Sequence, residues 1–140
     1  MAEKFKNKIK KDIHKMEKQY FLISHNEYSK GIEKTIEMIL GKQDNLKSYS
    51  LMPGGHPDEI TTEIEKCINE ESQIVILGDI AGGSVCNSAL RLTVNPNVTL
   101  VTGINIPVAL EIIRKQVSEK NEIKELVERT KASMRMVDLN

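Results

Sequence analysis

The chain alternates short, continuous apolar runs with longer segments in which apolar residues recur every three or four positions. Continuous runs predict buried strands, and the longer period predicts helices. Four runs have the strand pattern: 20–24, 46–52, 74–77 and 98–101. A helix pattern follows each run, beginning near Glu27, Pro57, Ser84 and Pro107. Regular alternation of this kind, in units of roughly 25 residues, predicts an α/β fold with a doubly wound, mostly parallel sheet.

The C-terminal part of the chain departs from this alternation. A further helix pattern covers 119–130, and the residues from Met134 to Asp138 then alternate between apolar and polar. Such alternation is typical of a half-exposed strand. An apolar face on an edge strand needs cover, and exchange into a second subunit supplies it. We therefore expect a flavodoxin-like order 2-1-3-4 plus a C-terminal antiparallel edge strand that is exchanged in a homodimer.

The N-terminal part is a separate, basic segment. Residues 1–18 carry seven lysines against three acidic residues. Apolar residues recur there at helical spacing: Phe5, Ile9 and Ile13. The segment is interpreted as an amphipathic extension, with His14 at its surface, before a domain that spans 19–140. Contact with anionic lipid or a partner is one interpretation. A solvated helix is the other, and the small number of apolar residues favours it.

Composition narrows the class of protein. The 140 residues are about one domain in length. Twenty lysines and arginines balance 20 acidic residues, so no partnership with nucleic acid is expected. No apolar run is long enough to span a bilayer or resembles a signal peptide, which predicts a cytoplasmic protein.

Cys67 and Cys86 lie outside any ligand cluster and are interpreted as reduced core cysteines. We expect neither a metal nor a cofactor.

Polar residues gather where the predicted strands end. His25 follows the first strand, Asp79 the third, and Asn105 lies in the loop after the fourth. In the expected strand order these three strands are neighbours, so the three side chains should converge at the carboxyl edge of the sheet. Asn26, next to His25, and Asn105 are expected to support the site.

This grouping indicates histidine chemistry. A carboxylate beside His25 would hold one tautomer and leave the other ring nitrogen free as a nucleophile. Gly82 and Gly83 allow a tight turn, and Ser84 is expected to cap the following helix and bind an anion there. These features favour a phosphorylated His25, with Asp79 as its partner and 82–84 as the phosphoryl-binding segment.

Other kinds of site have less support in the sequence. His56, between Gly55 and Pro57, is interpreted as part of a local turn. The loop after the first strand lacks the GxGxxG pattern of dinucleotide-binding folds, and the chain contains no GxSxG hydrolase elbow. The ligand clustering typical of a zinc site is missing as well.

Four segments resemble the enzyme IIA domains of the mannose-type sugar phosphotransferase system (PTS), in order and spacing. They are 22–25 (LISH) followed by 30–32 (KGI), 38–41 (MILG), 78–84 (GDIAGGS, with Asn87) and 102–107 (TGINIP). The chain departs from the family at Asn26, where glycine is usual, and at Val85-Cys86, where Pro-Phe is common. The resemblance covers about residue 18 to the C-terminus, so the basic extension lies outside it.

The resemblance implies a cytoplasmic homodimer that carries phosphate on a histidine. By this likeness, His25 takes the phosphoryl group from the carrier protein HPr and passes it to a IIB component, which serves the membrane IIC/IID complex indirectly. Asp79 orients the histidine, and Ser84 with its flanking glycines lies next to the phosphoryl group. Two alternatives remain open: a phosphocarrier subunit of a dihydroxyacetone kinase, and a regulatory module of the same fold.

Overall fold

The structure, a computed structural model, describes residues 2–140 except for the side chains of residues 10–15. The helices are α1 (Ala2–Lys15), α2 (Tyr28–Leu40), α3 (Pro57–Glu65), α4 (Ser84–Leu90), α5 (Ile106–Lys115) and α6 (Lys120–Thr130). The strands are β1 (Glu17–His25), β2 (Leu46–Leu51), β3 (Ser72–Gly78) and β4 (Val98–Val101). Single 3-10 turns follow α4 at Arg91–Val94 and α6 at Lys131–Ser133.

The strands form a parallel sheet in the order β2-β1-β3-β4, which confirms the predicted order. β1 lies between β2 and β3, so Tyr20 pairs with both Leu46 and Val75. β1 begins at Glu17, before the apolar run. Its first residues pair with the start of β3, beginning with Glu17 opposite Ser72. Main-chain pairing of these polar residues extends the strand where the apolar pattern gave no indication of one.

Both faces of the sheet are covered, as continuous apolar strands require. One face packs against α2, α5 and α6, and the other against α3 and α4. The first core includes Tyr20, Leu22, Val75, Leu77 and Ile112. The second core includes Phe21, Ile23, Ile64, Ile74 and Ile76. Successive residues of β1 and β3 therefore enter opposite cores, and this double burial fixes the register of the two central strands.

The chain ends are much more exposed than the sheet. In α1, 67 % of Phe5 and 43 % of Ile9 are exposed, and the side chain of His14 lies outside the described part. Residues 134–140 form no helix or strand in the single chain, and their side chains are exposed. The predicted C-terminal edge strand is therefore not formed within one chain, and its exchange into a second subunit stays a prediction.

The two cysteines are free thiols, as predicted, but they differ in burial. Cys86 is buried in α4. Cys67 lies just beyond the end of α3 and is only partly buried, where it packs against the second core. The prediction of two core cysteines thus holds fully for Cys86, whereas Cys67 is at the border of the core. Within residues 2–140, every helix is too short or too polar to cross a membrane.

Candidate active site

The carboxyl ends of β1 and β3 bring His25 and Asp79 into direct contact. The two strands are adjacent and parallel, with Ile23 opposite Gly78. The Asp79 carboxylate oxygen Oδ2 lies 2.9 Å from the main-chain nitrogen of His25 and 2.8 Å from its ring nitrogen Nδ1. One oxygen therefore accepts hydrogen bonds from both the backbone and the side chain of the same histidine. The convergence predicted for these two residues is present in the structure.

The second oxygen of Asp79, Oδ1, accepts a hydrogen bond from the main-chain N–H of Ile80 at 2.9 Å. Burial of Asp79 disfavours the charged form, but the hydrogen bonds from His25 and Ile80 outweigh burial and lower the pKa of this carboxyl. Only 13 % of the Asp79 side chain is exposed. The aspartate is therefore a fixed, ionised acceptor at neutral pH.

This arrangement determines which nitrogen of the His25 ring is free. An ionised carboxylate only accepts hydrogen bonds, so the nitrogen that faces Asp79, Nδ1, carries the proton. The other nitrogen, Nε2, keeps its lone pair in the neutral ring, and 46 % of the His25 side chain is exposed. The Ser84 hydroxyl oxygen lies 3.2 Å from Nε2, within donating distance. An accessible nucleophilic nitrogen with a hydroxyl beside it suits group transfer.

Ser84 occupies a different place in its helix from the one predicted. Gly83, not Ser84, is the N-cap of α4, and Ser84 is the first helical residue. The expectation that Ser84 caps the helix was therefore wrong. Its hydroxyl approaches His25 instead.

The glycine pair leaves room for the histidine ring. Gly82 has a φ of +79°, a conformation that favours glycine. A Cβ atom on Gly83 would lie 2.9 Å from the Ile80 side chain and 3.1 Å from Cε1 of His25. The Asn87 side-chain amide donates to the Gly82 carbonyl at 3.1 Å and holds the loop against α4. Glycine at position 83 thus permits the close approach of the loop to the imidazole.

Two buried serines hold the backbone on the other side of His25. The Ser24 hydroxyl donates to the Asn26 carbonyl at 3.1 Å and accepts from the main-chain N–H of Ser29 at 2.7 Å. Asn26 adopts a φ of +51°, and its side chain accepts from the N–H of Glu27. The tight bend after the histidine is therefore formed by Asn26, in a backbone conformation that favours glycine but that asparagine also adopts.

Asn105 lies in the neighbouring loop, where its side chain caps α5 by accepting from the N–H of Val108 at 3.1 Å. The loop reaches the site through its backbone. Ile104 donates its N–H to the Gly78 carbonyl at 3.0 Å, and the Tyr28 hydroxyl donates to the Ile104 carbonyl at 2.7 Å. Sequence reasoning missed Tyr28. Its closeness to His25 along the chain was the only signal available.

The loop after β2 forms a further wall of the site, which sequence reasoning also missed. An open cavity of about 330 Å³ lies between the His25–Asn26 turn and residues 51–55, including Met52. The backbone joins the two segments, since the N–H of Asn26 donates to the Leu51 carbonyl at 2.7 Å. His56, at the end of this loop, caps α3 by accepting from the N–H of Asp58 at 3.2 Å. It therefore acts as local structure, as its place in the sequence predicts.

Cys86 lies beneath the site. Its Sγ atom is 3.9 Å from Oδ1 of Asp79, and a Cβ atom on Gly78 would overlap that sulfur. Burial raises the pKa of the Cys86 thiol, and the nearby Asp79 charge acts in the same direction. The absence of a side chain at Gly78 thus allows α4 to pack directly against the end of β3.

Comparison with known proteins identifies a family model that matches most of the chain. The family model described as "PTS system fructose IIA component" matches residues 19–131. The Escherichia coli K12 protein named "PTS system mannose-specific EIIAB component" is 30 % identical over 97 residues, which are 64 % of this chain and 29 % of that protein. The chain therefore spans less than a third of the length of this relative.

Two other relatives match over more of their length. The sorbose-specific EIIA component of Klebsiella pneumoniae is 25 % identical over 96 residues, 66 % of this chain and 70 % of that protein. A solved structure is also similar: the PTS IIA protein associated with the fucose utilization operon of Streptococcus pneumoniae. It has a TM-score of 0.75 and 29 % identity, covering 86 % of this chain and 93 % of that one.

Proposed function

Because the chain belongs to the mannose and fructose IIA family of the sugar phosphotransferase system, we propose that it is a phosphoryl carrier that uses His25. His25 accepts the phosphoryl group from phosphorylated HPr and passes it to a IIB component, so that the membrane IIC/IID complex is served indirectly. The observation that carries this proposal is the state of the imidazole. Asp79 engages one ring nitrogen, while the other lies beside Ser84 on a side chain that is about half exposed.

The proposed transfer begins with attack by Nε2 of His25 on the phosphorus of the donor phosphohistidine. The Nε2–P bond forms as the donor's N–P bond breaks, and the electron pair of that bond stays on the donor nitrogen. The His25 ring keeps its Nδ1 proton and gains positive charge, which the Asp79 carboxylate stabilises. That carboxylate lies 2.8 Å from Nδ1. Transfer to the IIB component is the same displacement with His25 as the leaving group.

The loop 82–84 is proposed to hold the phosphoryl oxygens. Ser84 already lies within donating distance of Nε2, so its hydroxyl is close to any group attached there. Phosphoryl transfer depends mainly on positioning and on stabilisation of charge, and this loop and Asp79 provide both. Asn26 and Asn105 support the site by setting the turn after His25 and the start of α5.

The decisive experiment incubates the protein with enzyme I, HPr and phosphoenolpyruvate and then measures intact mass before and after acid treatment. We expect one acid-labile phosphoryl group on the wild type and none on His25→Ala. The matched control is His56→Ala, which removes another exposed histidine and should leave labelling intact. Full labelling of His25→Ala would contradict the assignment. Absence of label on every variant would favour the kinase-feeding or regulatory alternative and a different phosphoryl donor.

A further inference from the structure

Charge is divided unequally between α1 and the rest of the chain. The helix, Ala2–Lys15, contains six lysines and two acidic residues and thus has a net charge of +4. Since the whole chain has a formal net charge of zero, the remainder carries −4. The family match begins only at residue 19, so α1 is an addition to the matched domain. Its charge therefore needs an explanation of its own.

The described side chains of α1 form an exposed amphipathic surface. Phe5 and Ile9 are four residues apart, which places them on one face of the helix. Both are exposed, by 67 % and 43 %. Since successive helical residues are about 100° apart, Lys6 and Lys8 fall on either side of this apolar strip. Both lysines are exposed. An apolar strip flanked by lysines is the arrangement of helices that lie in a membrane interface.

We propose that α1 binds the surface of an anionic bilayer. Phe5 and Ile9 enter the boundary between headgroups and acyl chains, while the lysines contact lipid phosphates. Charge complementarity supports this occupant, because four surplus positive charges on one helix match a surface of dense negative charge. The proposal concerns lipid binding alone and does not rest on phosphoryl transfer by His25.

Within the molecule, the surface that could bind α1 instead of a bilayer is the side of α6 that carries acidic residues. Lys6 and Ile9 line an open groove of about 970 Å³ together with residues of α6 and the residue before it. The side chains contributed there are Glu119, Asn121, Lys124, Glu125, Glu128 and Arg129. Two positively charged side chains lie among the three carboxylates, which weakens the attraction of this surface for a basic helix. The open groove also leaves Ile9 exposed, so α6 covers the apolar strip poorly.

The position of α1 in the fold is compatible with both lipid binding and catalysis. The helix leads into β1 at Glu17, whereas His25 lies at the other end of that strand. A strand of this length separates its two ends by roughly 26 Å. A bilayer that holds α1 is therefore attached to the sheet through its amino edge, at the end of β1 opposite His25.

The test is sedimentation of the full chain with vesicles made of equal parts phosphatidylglycerol and phosphatidylcholine, and with vesicles of phosphatidylcholine alone. We expect binding to the anionic vesicles only, with a loss as salt rises because the attraction is screened. Lys4→Glu with Lys8→Glu should weaken binding by at least about tenfold, since each lysine near an anionic surface contributes about fivefold. The control pair Lys34→Glu with Lys42→Glu changes the net charge equally and should weaken binding much less.

The apolar strip is tested with Phe5→Ser, which should lower affinity for the anionic vesicles about tenfold. The reason is that the variant has no large apolar side chain at this position to transfer from water into the bilayer. Met38→Ser is its control, since Met38 is a still more exposed apolar residue on α2, and it should have no effect. His25 phosphorylation, measured without vesicles, should be unchanged in all of these variants.

Several outcomes would overturn the proposal. Equal binding to neutral vesicles, equal loss in the two lysine pairs, or no binding to either vesicle would each exclude an anionic bilayer as the occupant. Tighter binding of an RNA or DNA oligonucleotide than of anionic vesicles would reassign α1 to nucleic acid. Failure of the phosphorylation assay together with normal vesicle binding would contradict only the proposed carrier function.

Discussion

The carboxyl edge of the sheet and the two chain ends differ in how their residues are held. At the edge, His25 lies 2.8 Å from Asp79 and 3.2 Å from Ser84, and the loops around them are tied by further hydrogen bonds. At the ends, by contrast, the apolar side chains are left in water. They include Phe5 in α1 and, within residues 134–140, Met134, Met136, Val137 and Leu139.

The difference distinguishes a site that one chain completes by itself from apolar surfaces that only contact with another molecule would bury. The site at the edge is assembled by contacts within the chain, so its geometry precedes any encounter. The apolar residues at the ends would be stabilised only by burial against another surface, because exposed apolar area gains nothing in water. Substitutions at the edge should therefore change rates or unfolding, whereas changes at the ends should alter association.

The largest expected effect follows from Asp79→Asn. The amide keeps the shape of the carboxylate but loses the charge that would stabilise the positive His25 ring in the proposed transfer. We expect phosphoryl transfer from phosphorylated HPr to slow about 100-fold, measured by rapid quench. The control Asp44→Asn makes the same chemical change at an exposed turn and should leave the rate unchanged. A wild-type rate in Asp79→Asn would show that the carboxylate has no part in the transfer.

A second expectation concerns the packing under the site. Gly78→Ala should lower the free energy of unfolding by about 1–3 kcal/mol, the usual cost of overpacking a core. The reason is that its new methyl group would overlap the Cys86 sulfur. Cys86→Ala removes that sulfur, so the double variant should recover much of the loss. Urea denaturation of the four proteins gives the coupling energy directly. Additive losses would mean that the two positions do not interact.

The smallest effect on the isolated domain should come from the C-terminal end. Removal of residues 134–140 should change the free energy of unfolding of the monomer by less than about 0.5 kcal/mol, as for other surface changes. These side chains are exposed in the single chain. The predicted dimer should be lost, because its exchanged strand would be missing. Urea denaturation measures the first effect, and sedimentation velocity measures the second.

Removal of residues 2–15 is the control for this truncation. It also deletes an exposed chain end, but it should leave the dimer intact. A monomeric wild type would contradict the predicted strand exchange.

Much of the fold could be predicted from the sequence because the central strands are continuous apolar runs. Ile74 to Leu77 are all buried, and such a run has few alternatives to a central parallel strand. The early start of β1 at Glu17 could not be predicted, since its first residues are polar and are held by main-chain pairing with β3. The strand predicted from Met134 to Asp138 stays a prediction, because its formation depends on a second chain and the single chain shows these residues without a strand partner.

The candidate site also contains features that the sequence predicts and features that it does not. The contact between His25 and Asp79 follows from two neighbouring strand ends, so topology alone brings the residues together. The contribution of Tyr28, by contrast, is a hydrogen bond to the backbone of Ile104, far away in the chain. Ser24 likewise acts on nearby backbone groups. Such bonds depend on the detailed course of the loops, and neither periodicity nor residue type encodes it.

The single Asp79 oxygen that accepts from both the backbone and the ring of His25 has a consequence for kinetics. Asp79 holds His25 at two points, its main-chain N–H and its ring nitrogen Nδ1, so the direction of the other ring nitrogen, Nε2, is set before any partner arrives. The His25 side chain therefore needs little rotamer change before it reacts, and it loses little conformational entropy when a partner binds. In the proposed phosphoryl carrier, the same orientation of His25 would serve both acceptance and donation, so the direction of transfer would be set by which partner carries the phosphate.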